Sequence, residues 1–160
     1  MRNDPNRLAE LRRHLILDST AERAYDDIAR LLATNLEVPI AMVNLLDEDR
    51  DWFKTCIGLP LSESPASTSF CDAFFNTTDD LIVVEDTVAS PDLATHPLVT
   101  GPPFIRFYAA ARLAVDGHTL GTLCAYDFQP RRISETQIQQ LQTLAAAVVE
   151  LMHRRTQPSV

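Results

Sequence analysis

Apolar side chains recur at a spacing of three or four residues at both ends of the chain, which is typical of amphipathic helices. This spacing predicts a short helix around Leu8 and Leu11 and a longer helix over residues 20–36. At the other end it predicts a helix over residues 134–155. The S-x-x-Q sequence that starts at Ser134 is a capping box and marks where this last helix begins.

Between these helices the chain carries short apolar runs separated by turn residues, which is typical of strands. The runs at 40–46 and 51–57 are joined too closely for a parallel crossover, and those at 105–115 and 120–126 enclose an Asp-Gly pair. Each pair therefore predicts an antiparallel hairpin, and a further strand is predicted at 81–85. Because strands do not alternate regularly with helices, the order indicates an α+β fold with a five- or six-stranded antiparallel sheet bracketed by helices.

Two long connections are rich in turn residues. Residues 58–68 hold one glycine and two prolines, and residues 86–104 hold four prolines. Connections this long are uncommon in compact domains and often carry function. Between them, a short helix is predicted through Phe70–Phe75, preceded by Ser and Thr residues that can cap it.

The 160 residues suit one domain, which we place at residues 8–157 with flexible tails at 1–7 and 158–160. The net charge of −8 opposes nucleic-acid binding, because such binding depends on Lys and Arg that neutralise phosphates. No apolar run approaches the roughly 20 residues of a membrane span. The N-terminus is polar and is not a signal peptide. We therefore expect no membrane partner and a cytoplasmic location.

The three cysteines, Cys56, Cys71 and Cys124, have no paired spacing of the kind found in zinc sites. Neither a nucleophile–base motif nor a phosphate-binding glycine motif is present. These observations predict no metal and no catalytic residues, so we do not expect an enzyme. Unpatterned thiols without an export sequence also favour a reducing compartment.

Several sequence blocks resemble those of GAF domains from bacterial signalling proteins. They occur in the family's order across residues 8–155: LLDEDRDWFK at 45–54, SFC at 69–71, HPLVTGPPFIRFYA at 96–109, LGTLC at 120–124, then Asp127 and QPR at 129–131. The resemblance implies a sheet with the N- and C-terminal helices on one face. Short helices and loops would cover a ligand cavity on the other face. It also implies a sensory input module, as found in histidine kinases and cyclic-di-GMP turnover enzymes.

The sequence departs from the family pattern at several positions. Ala110 stands where Gly is usual, Arg112 where Pro is usual, Ala66 where Arg is common, and His96 where Asn is common. Cys71 is followed by Asp72, so the Cys-His pair of bilin-binding relatives is absent. Some relatives bind cyclic nucleotides, bilins or haem, and many have no known ligand. These departures mean that no relative's ligand can be transferred, and the cofactor is unassigned.

The candidate ligand site lies between the sheet and the 58–104 loops, where aromatic residues cluster. Strand alternation allows only one of Phe107 and Tyr108 to face that side, and we choose Tyr108 for its hydroxyl. Arg106 has an alternative role in an internal salt bridge with Asp72 or Asp86, and the aromatic residues have an alternative role in the core. The predicted contacts, with Cys71 close by, are Phe74, Leu98, Arg106, Tyr108 and Thr122.

The sequence thus favours a sensory module that binds a small molecule and relays its state through the terminal helices. One alternative is a ligand-free dimerisation or relay domain. Another is a thiol-dependent reductase like the GAF-fold enzymes that reduce free methionine sulfoxide, although no resolving cysteine is evident. Leu8, Leu11 and Leu15, together with a wide apolar stripe after Ser134, predict a homodimer through a four-helix bundle.

Overall fold

A six-stranded antiparallel sheet organises the computed structural model, which describes residues 1–157. The helices and strands are α1 (Pro5–Arg13), α2 (Arg23–Leu36), β1 (Ile40–Leu46), β2 (Arg50–Ile57), β3 (Glu63–Pro65), β4 (Leu81–Val84), α3 (Pro97–Thr100), β5 (Phe107–Val115), β6 (His118–Asp127) and α4 (Glu135–Arg154). Three 3₁₀ turns lie at Ala66–Thr68, Phe70–Asn76 and Thr87–Ala89. The strand order is β3-β2-β1-β6-β5-β4. The predicted α+β fold and both predicted hairpins are confirmed.

The helices α2 and α4 lie on the same face of the sheet and contact each other. Their buried residues follow helical spacing and form the inner stripe of each helix: Tyr25, Ala29, Leu32 and Leu36 on α2, and Leu141, Ala145, Val148 and Met152 on α4. The predicted capping box is present, because Ser134 Oγ accepts a hydrogen bond from the Gln137 amide and the Gln137 side chain accepts one from the Ser134 amide.

The N-terminal segment differs from its prediction. Helix α1 begins at Pro5, inside the segment 1–7 that the sequence analysis treats as a tail, and Asp4 caps it by accepting a hydrogen bond from the Asn6 amide. Arg7 is buried and donates to the carbonyl oxygens of Arg2 and Thr119. The polar residues that suggested a tail are therefore held in place by side-chain contacts. The spacing of apolar residues cannot predict such contacts. The predicted tail at 158–160 lies outside the described residues.

Side-chain alternation along the strands divides the interior into two cores. The helix-side core contains Phe107, Ala109 and Leu123 together with the buried stripes of α2 and α4. The loop-side core contains Tyr108, Ala110 and other residues that face the 3₁₀ turns and the long connection. The predicted orientation of Phe107 and Tyr108 therefore agrees with the structure. Within residues 1–157, no helix combines the length and the apolar character needed to cross a membrane.

Candidate functional site

A cavity of about 330 Å³ lies between the loop side of the sheet and the long connections. Strands β1, β2 and β6 contribute its floor, and the segments around Leu59–Phe70 and Leu98–Ile105 contribute its walls. Its lining is mostly apolar: Met42, Phe53, Leu59, Leu61, Pro65, Phe70, Leu98, Pro103, Ile105 and Tyr126. The cavity therefore lies between the sheet and the 58–104 loops, where the sequence analysis locates a ligand.

The polar end of this cavity is formed by Asn44, Asp51 and Ser69. Asn44 lies on the loop side of β1 because it alternates with Met42 and Leu46. Its Nδ2 donates to Asp51 Oδ2 over 3.0 Å, and Ser69 Oγ donates to the same oxygen over 2.5 Å. One carboxylate oxygen of Asp51 thus receives two hydrogen bonds from neighbouring elements.

The second oxygen of Asp51 has a different environment. Its Oδ1 lies 2.9 Å from Arg2 Nη2, an ion pair without the alignment of a hydrogen bond, and it accepts no hydrogen bond within residues 1–157. Arg2 is shared, because the same Nη2 lies 2.6 Å from Asp72 Oδ1. Burial raises the pKa of Asp51, and the contacts from Ser69, Asn44 and Arg2 oppose that rise. The cavity wall therefore holds a carboxylate whose desolvation is only partly compensated.

Behind the wall, three of the predicted site residues form a buried cluster. Cys71 Sγ lies 3.1 Å from Tyr108 Oη and 3.1 Å from Thr122 Oγ1, and all three side chains are shielded from solvent. Asn44 Nδ2 lies 3.6 Å from the same sulfur and connects the cluster to the cavity. Burial raises the pKa of Tyr108 well above its ordinary value. The cluster supports the cavity wall but is not part of its lining.

The remaining predicted site residues lie in different parts of the structure. Leu98 lines the cavity. Phe74 is buried elsewhere, with the guanidinium of Arg112 5.1 Å from its ring centre. Arg106 Nη2 lies 3.1 Å from Asp86 Oδ1, so the structure shows the internal salt bridge and no contribution of Arg106 to the cavity lining. Of the predicted contacts, Leu98 alone lines this cavity, and ligand contacts at the other positions stay a prediction.

Arg112, one of the departures from the family pattern, holds a loop in place. Its guanidinium donates to the carbonyl oxygens of Phe74, Thr77 and Asp79 over 3.0, 2.8 and 2.6 Å. These carbonyls belong to the end of the Phe70–Asn76 turn and the approach to β4. The substitution therefore acts on the support of the loop rather than on the lining of the cavity.

The predicted contacts did not include Asn44 and Asp51, the two buried polar residues of the cavity lining. A signal existed for Asn44, since it is a polar residue within the apolar run 40–46. Asp51 was hidden by the acidic turn before it, although it directly precedes Trp52 and Phe53. An amide or carboxylate inside a strand is informative because a buried polar group needs a partner.

The histidines and cysteines of the described residues do not gather into one cluster. Within the described part of the chain, no three His, Cys, Asp or Glu side chains come together as a metal site would require. His96 Nδ1 accepts a hydrogen bond from the Leu98 amide and caps α3, and its ring lies 4.3 Å from that of Phe70. All three cysteines are free, with Cys71 and Cys124 fully buried.

The chain belongs to the GAF family, because the family model for the GAF domain matches residues 20–150. It is 34% identical over 140 residues to a cyclic di-GMP phosphodiesterase from Pseudomonas aeruginosa. That match covers 86% of this chain and 24% of the relative, so the chain spans about a quarter of the relative's length. GAF domains are generally sensory or regulatory modules of signalling proteins.

Solved structures agree on the fold. The GAF domain of an Acinetobacter phosphoenolpyruvate-protein phosphotransferase has a TM-score of 0.69 at 20% identity, covering 98% of this chain and 99% of that one. The Thermosynechococcus elongatus PixJ GAF domain has a TM-score of 0.63 at 18% identity, covering 92% and 89%. A free methionine-R-sulfoxide reductase from Neisseria meningitidis has the same TM-score of 0.63 at 18% identity, covering 92% and 87%. At these identities the likeness concerns the fold alone.

Proposed function

We propose that this chain is the sensory domain of a bacterial cytoplasmic signalling protein and that it binds a small molecule in the cavity described above. The observation that carries the proposal is a cavity of about 330 Å³ with apolar walls and one polar end. Small-molecule sites typically combine such an apolar volume with a few convergent polar groups. The relative from Pseudomonas aeruginosa, a cyclic di-GMP phosphodiesterase, supports a signalling context.

The relay that we propose runs through the sheet to the terminal helices. Strands β1, β2 and β6 supply cavity residues on one face. On the opposite face α2 contacts these three strands, and α4 contacts β5 and β6. Because the interior is closely packed, a ligand that displaces the strands under the cavity also displaces the helices packed on their opposite face. Small displacements at packed interfaces drive conformational switching in other proteins.

A homodimer remains a prediction, but its expected surface changes. Leu8 and Leu11 are buried within their own chain, whereas Leu15 is 76% exposed. The apolar side of α1 is therefore unavailable to a partner helix in the predicted four-helix bundle. The surface that remains for a partner helix is the half-buried part of α4, including Leu144 and Leu151. Light scattering at high micromolar concentration distinguishes a monomer from a dimer, and alanine at both positions should abolish a dimer formed through this surface.

The alternative function as a thiol-dependent reductase is disfavoured by burial. Cys71 and Cys124 are both 0% exposed, so a substrate has no direct access to either sulfur. Reactive cysteines usually occupy partly exposed, electropositive surroundings. We therefore propose a non-enzymatic role. Incubation with methionine sulfoxide and a thiol reductant should give no methionine above the level of a C71A variant.

Ligand binding is tested by titrating the isotopically labelled protein with a metabolite library and recording amide spectra. We expect at least one compound to shift resonances of cavity residues. Leu59→Trp should block that binding because Leu59 lines the cavity. The matched control is Leu31→Trp, since Leu31 is exposed on α2, and it should bind normally. Shifts that persist in the blocked variant would place the binding elsewhere. A complete library without shifts would favour the ligand-free relay domain.

A further inference from the structure

We infer that the cavity selects an organic cation, a molecule with an apolar or aromatic body and an amine, amidine or guanidine group that pairs with Asp51. The inference rests on the proposed function, because it requires that the cavity bind a small molecule. It goes further by assigning the charge and shape of the ligand. Three observations support it, namely the charges around the cavity, the buried oxygens at its polar end that accept no hydrogen bond within residues 1–157, and the character of its walls.

The charges around the cavity favour a cation. Its lining contains two carboxylates, Asp51 and Glu63, and among the described residues that form it there is no Lys, Arg or His. Asp51 is 3% exposed, and Arg2 is divided between Asp51 and Asp72. Arg2 is therefore shared between Asp51 and the half-exposed Asp72, and Glu63 pairs with Arg50, so Asp51 is the lining carboxylate whose buried charge is only partly compensated. A phosphate or carboxylate ligand would enter this site without a cationic partner, and burying an unpaired charge is costly.

Two buried oxygens at the polar end can accept hydrogen bonds from a ligand. Asn44 Oδ1 and Asp51 Oδ1 are both buried and accept no hydrogen bond within residues 1–157. Both side chains line the cavity. A buried acceptor without a hydrogen bond costs free energy that a new donor recovers. Asn44 Oδ1 is the clearer case, because Asp51 Oδ1 keeps its ion pair with Arg2. An ammonium or guanidinium group carries several N–H donors and no acceptor, so it matches these two oxygens better than a carboxylate or an ether does.

The walls favour an apolar body next to that cationic group. Phe53, Phe70 and Tyr126 bring aromatic rings to the cavity, and Met42 and Leu98 add flexible apolar surface. A volume of about 330 Å³ is at the lower end of the range for small-molecule sites, which favours a compact ligand. The combination describes an arylalkyl or alkyl amine rather than a nucleotide or a tetrapyrrole.

Three probes with the same aromatic body test this inference: phenethylamine, 2-phenylethanol and 3-phenylpropionate. They are titrated into the whole chain, and the dissociation constants are read from amide spectra. We expect phenethylamine to bind at least about tenfold more tightly than 2-phenylethanol, with no detectable binding of 3-phenylpropionate. Equal binding of all three, or tighter binding of the carboxylate, would overturn the inference and leave the proposed function intact.

Variants of the ion pair make the test residue-specific. Asp51→Asn should reduce phenethylamine binding to the level of the alcohol and leave the alcohol unchanged. Arg2→Gln should act in the opposite direction and tighten phenethylamine binding, because it frees the carboxylate. Asp116→Asn is the matched control, since Asp116 is an exposed carboxylate in the β5–β6 turn, and it should change nothing. If Asp51→Asn does not fold, Arg2→Gln alone decides the result.

Failure of this inference can be separated from failure of the proposed function. If none of the three probes binds while library compounds shift cavity resonances, the cation assignment is wrong and the sensory cavity stands. If neither the probes nor the library compounds bind, both are wrong. A phenethylamine affinity that is unchanged in Asp51→Asn would show that the cationic group does not contact this carboxylate, which also overturns the inference.

Discussion

The two cores on opposite sides of the sheet are built differently. The helix-side core is largely aliphatic, with Leu32, Leu36, Leu141 and Val148 fully buried between the helices and the strands. The loop-side core contains aromatic rings, two thiols and a cavity, and buried polar side chains border it. Stability and ligand binding make opposing demands, since a site needs empty volume and unpaired polar groups that weaken a fold. Under the proposed function, the sheet separates these demands, with the helix side serving stability and the loop side serving ligand binding.

A buried charge on each side of the sheet shows the same contrast. On the helix side, Lys54 Nζ contacts Glu22 and donates to Ser19 Oγ over 2.8 Å and to the Thr20 carbonyl over 2.6 Å. On the loop side, Asp51 keeps an oxygen that accepts no hydrogen bond within residues 1–157. The ammonium group is well satisfied, whereas one oxygen of the carboxylate has only the ion pair with Arg2 among the described residues, which supports the proposed ligand site on the loop side.

The largest expected effect compares a leucine from each side. Leu141→Ala should lower the free energy of unfolding by about 3 kcal/mol, because it opens a cavity in a filled core. Leu98→Ala should cost less than about 1 kcal/mol, because Leu98 is only partly buried and already borders empty volume. Urea denaturation of both variants measures the difference. Equal losses of unfolding free energy would show that the two cores contribute equally to stability.

A smaller loss of folding stability is expected where polar contacts hold a loop on the loop side of the sheet. Arg112→Lys should lower the free energy of unfolding by about 2 kcal/mol, because an ammonium group cannot reach the carbonyls of Phe74, Thr77 and Asp79 together. Arg154→Lys is the control, since Arg154 is exposed and has an i,i+4 contact with Glu150, and it should be nearly neutral. Similar urea midpoints for the two variants would contradict this account.

The pH dependence of stability should have opposite signs at the two carboxylates. Burial raises the pKa of Asp51, so its favourable contribution is complete below its unfolded pKa and is lost as pH rises through the folded value. The hydrogen bond from Lys54 lowers the pKa of Glu22, so its contribution is present above its unfolded pKa and is lost as pH falls through the folded value.

Substitution at each carboxylate separates the two contributions. Relative to the unmodified chain, Asp51→Asn should gain stability as the pH rises from about 3 to about 7, whereas Glu22→Gln should lose it. The effect at Glu22 should be the smaller one, because that side chain is 42% exposed. Urea midpoints at several pH values measure both trends, and parallel curves for the two variants would remove the contrast.

The smallest effect concerns access to the thiols and leaves stability unchanged. A maleimide should label the native chain at Cys56, which is half-buried, and should reach Cys71 and Cys124 only in urea. Intact mass over time measures the labelling, and Cys56→Ser should remain unlabelled in the native state. Labelling of Cys71 at the rate of Cys56 would show that the loop side opens readily. That result would favour the alternative function as a thiol-dependent reductase.

The sequence predicted the framework of the fold from short-range patterns. The Asp-Gly turn gave the β5–β6 hairpin, and the capping box at Ser134 gave the start of α4. Alternation along β5 separated Phe107 from Tyr108. The family resemblance placed the terminal helices on one face. These features depend on residues close in the chain or on a recurring motif, so they can be read without coordinates.

What the sequence by itself determined is therefore the family and the sheet with its hairpins, and it also pointed to the region where we propose a ligand site. Only the tertiary structure decided which side chains meet there. It brought Arg2 to Asp51, paired Arg106 with Asp86 and placed Phe74 beneath Arg112. The physical reason is that each of these contacts joins residues far apart in the chain. Their energies depend on burial and on the alignment of charged groups, and no local periodicity encodes either quantity.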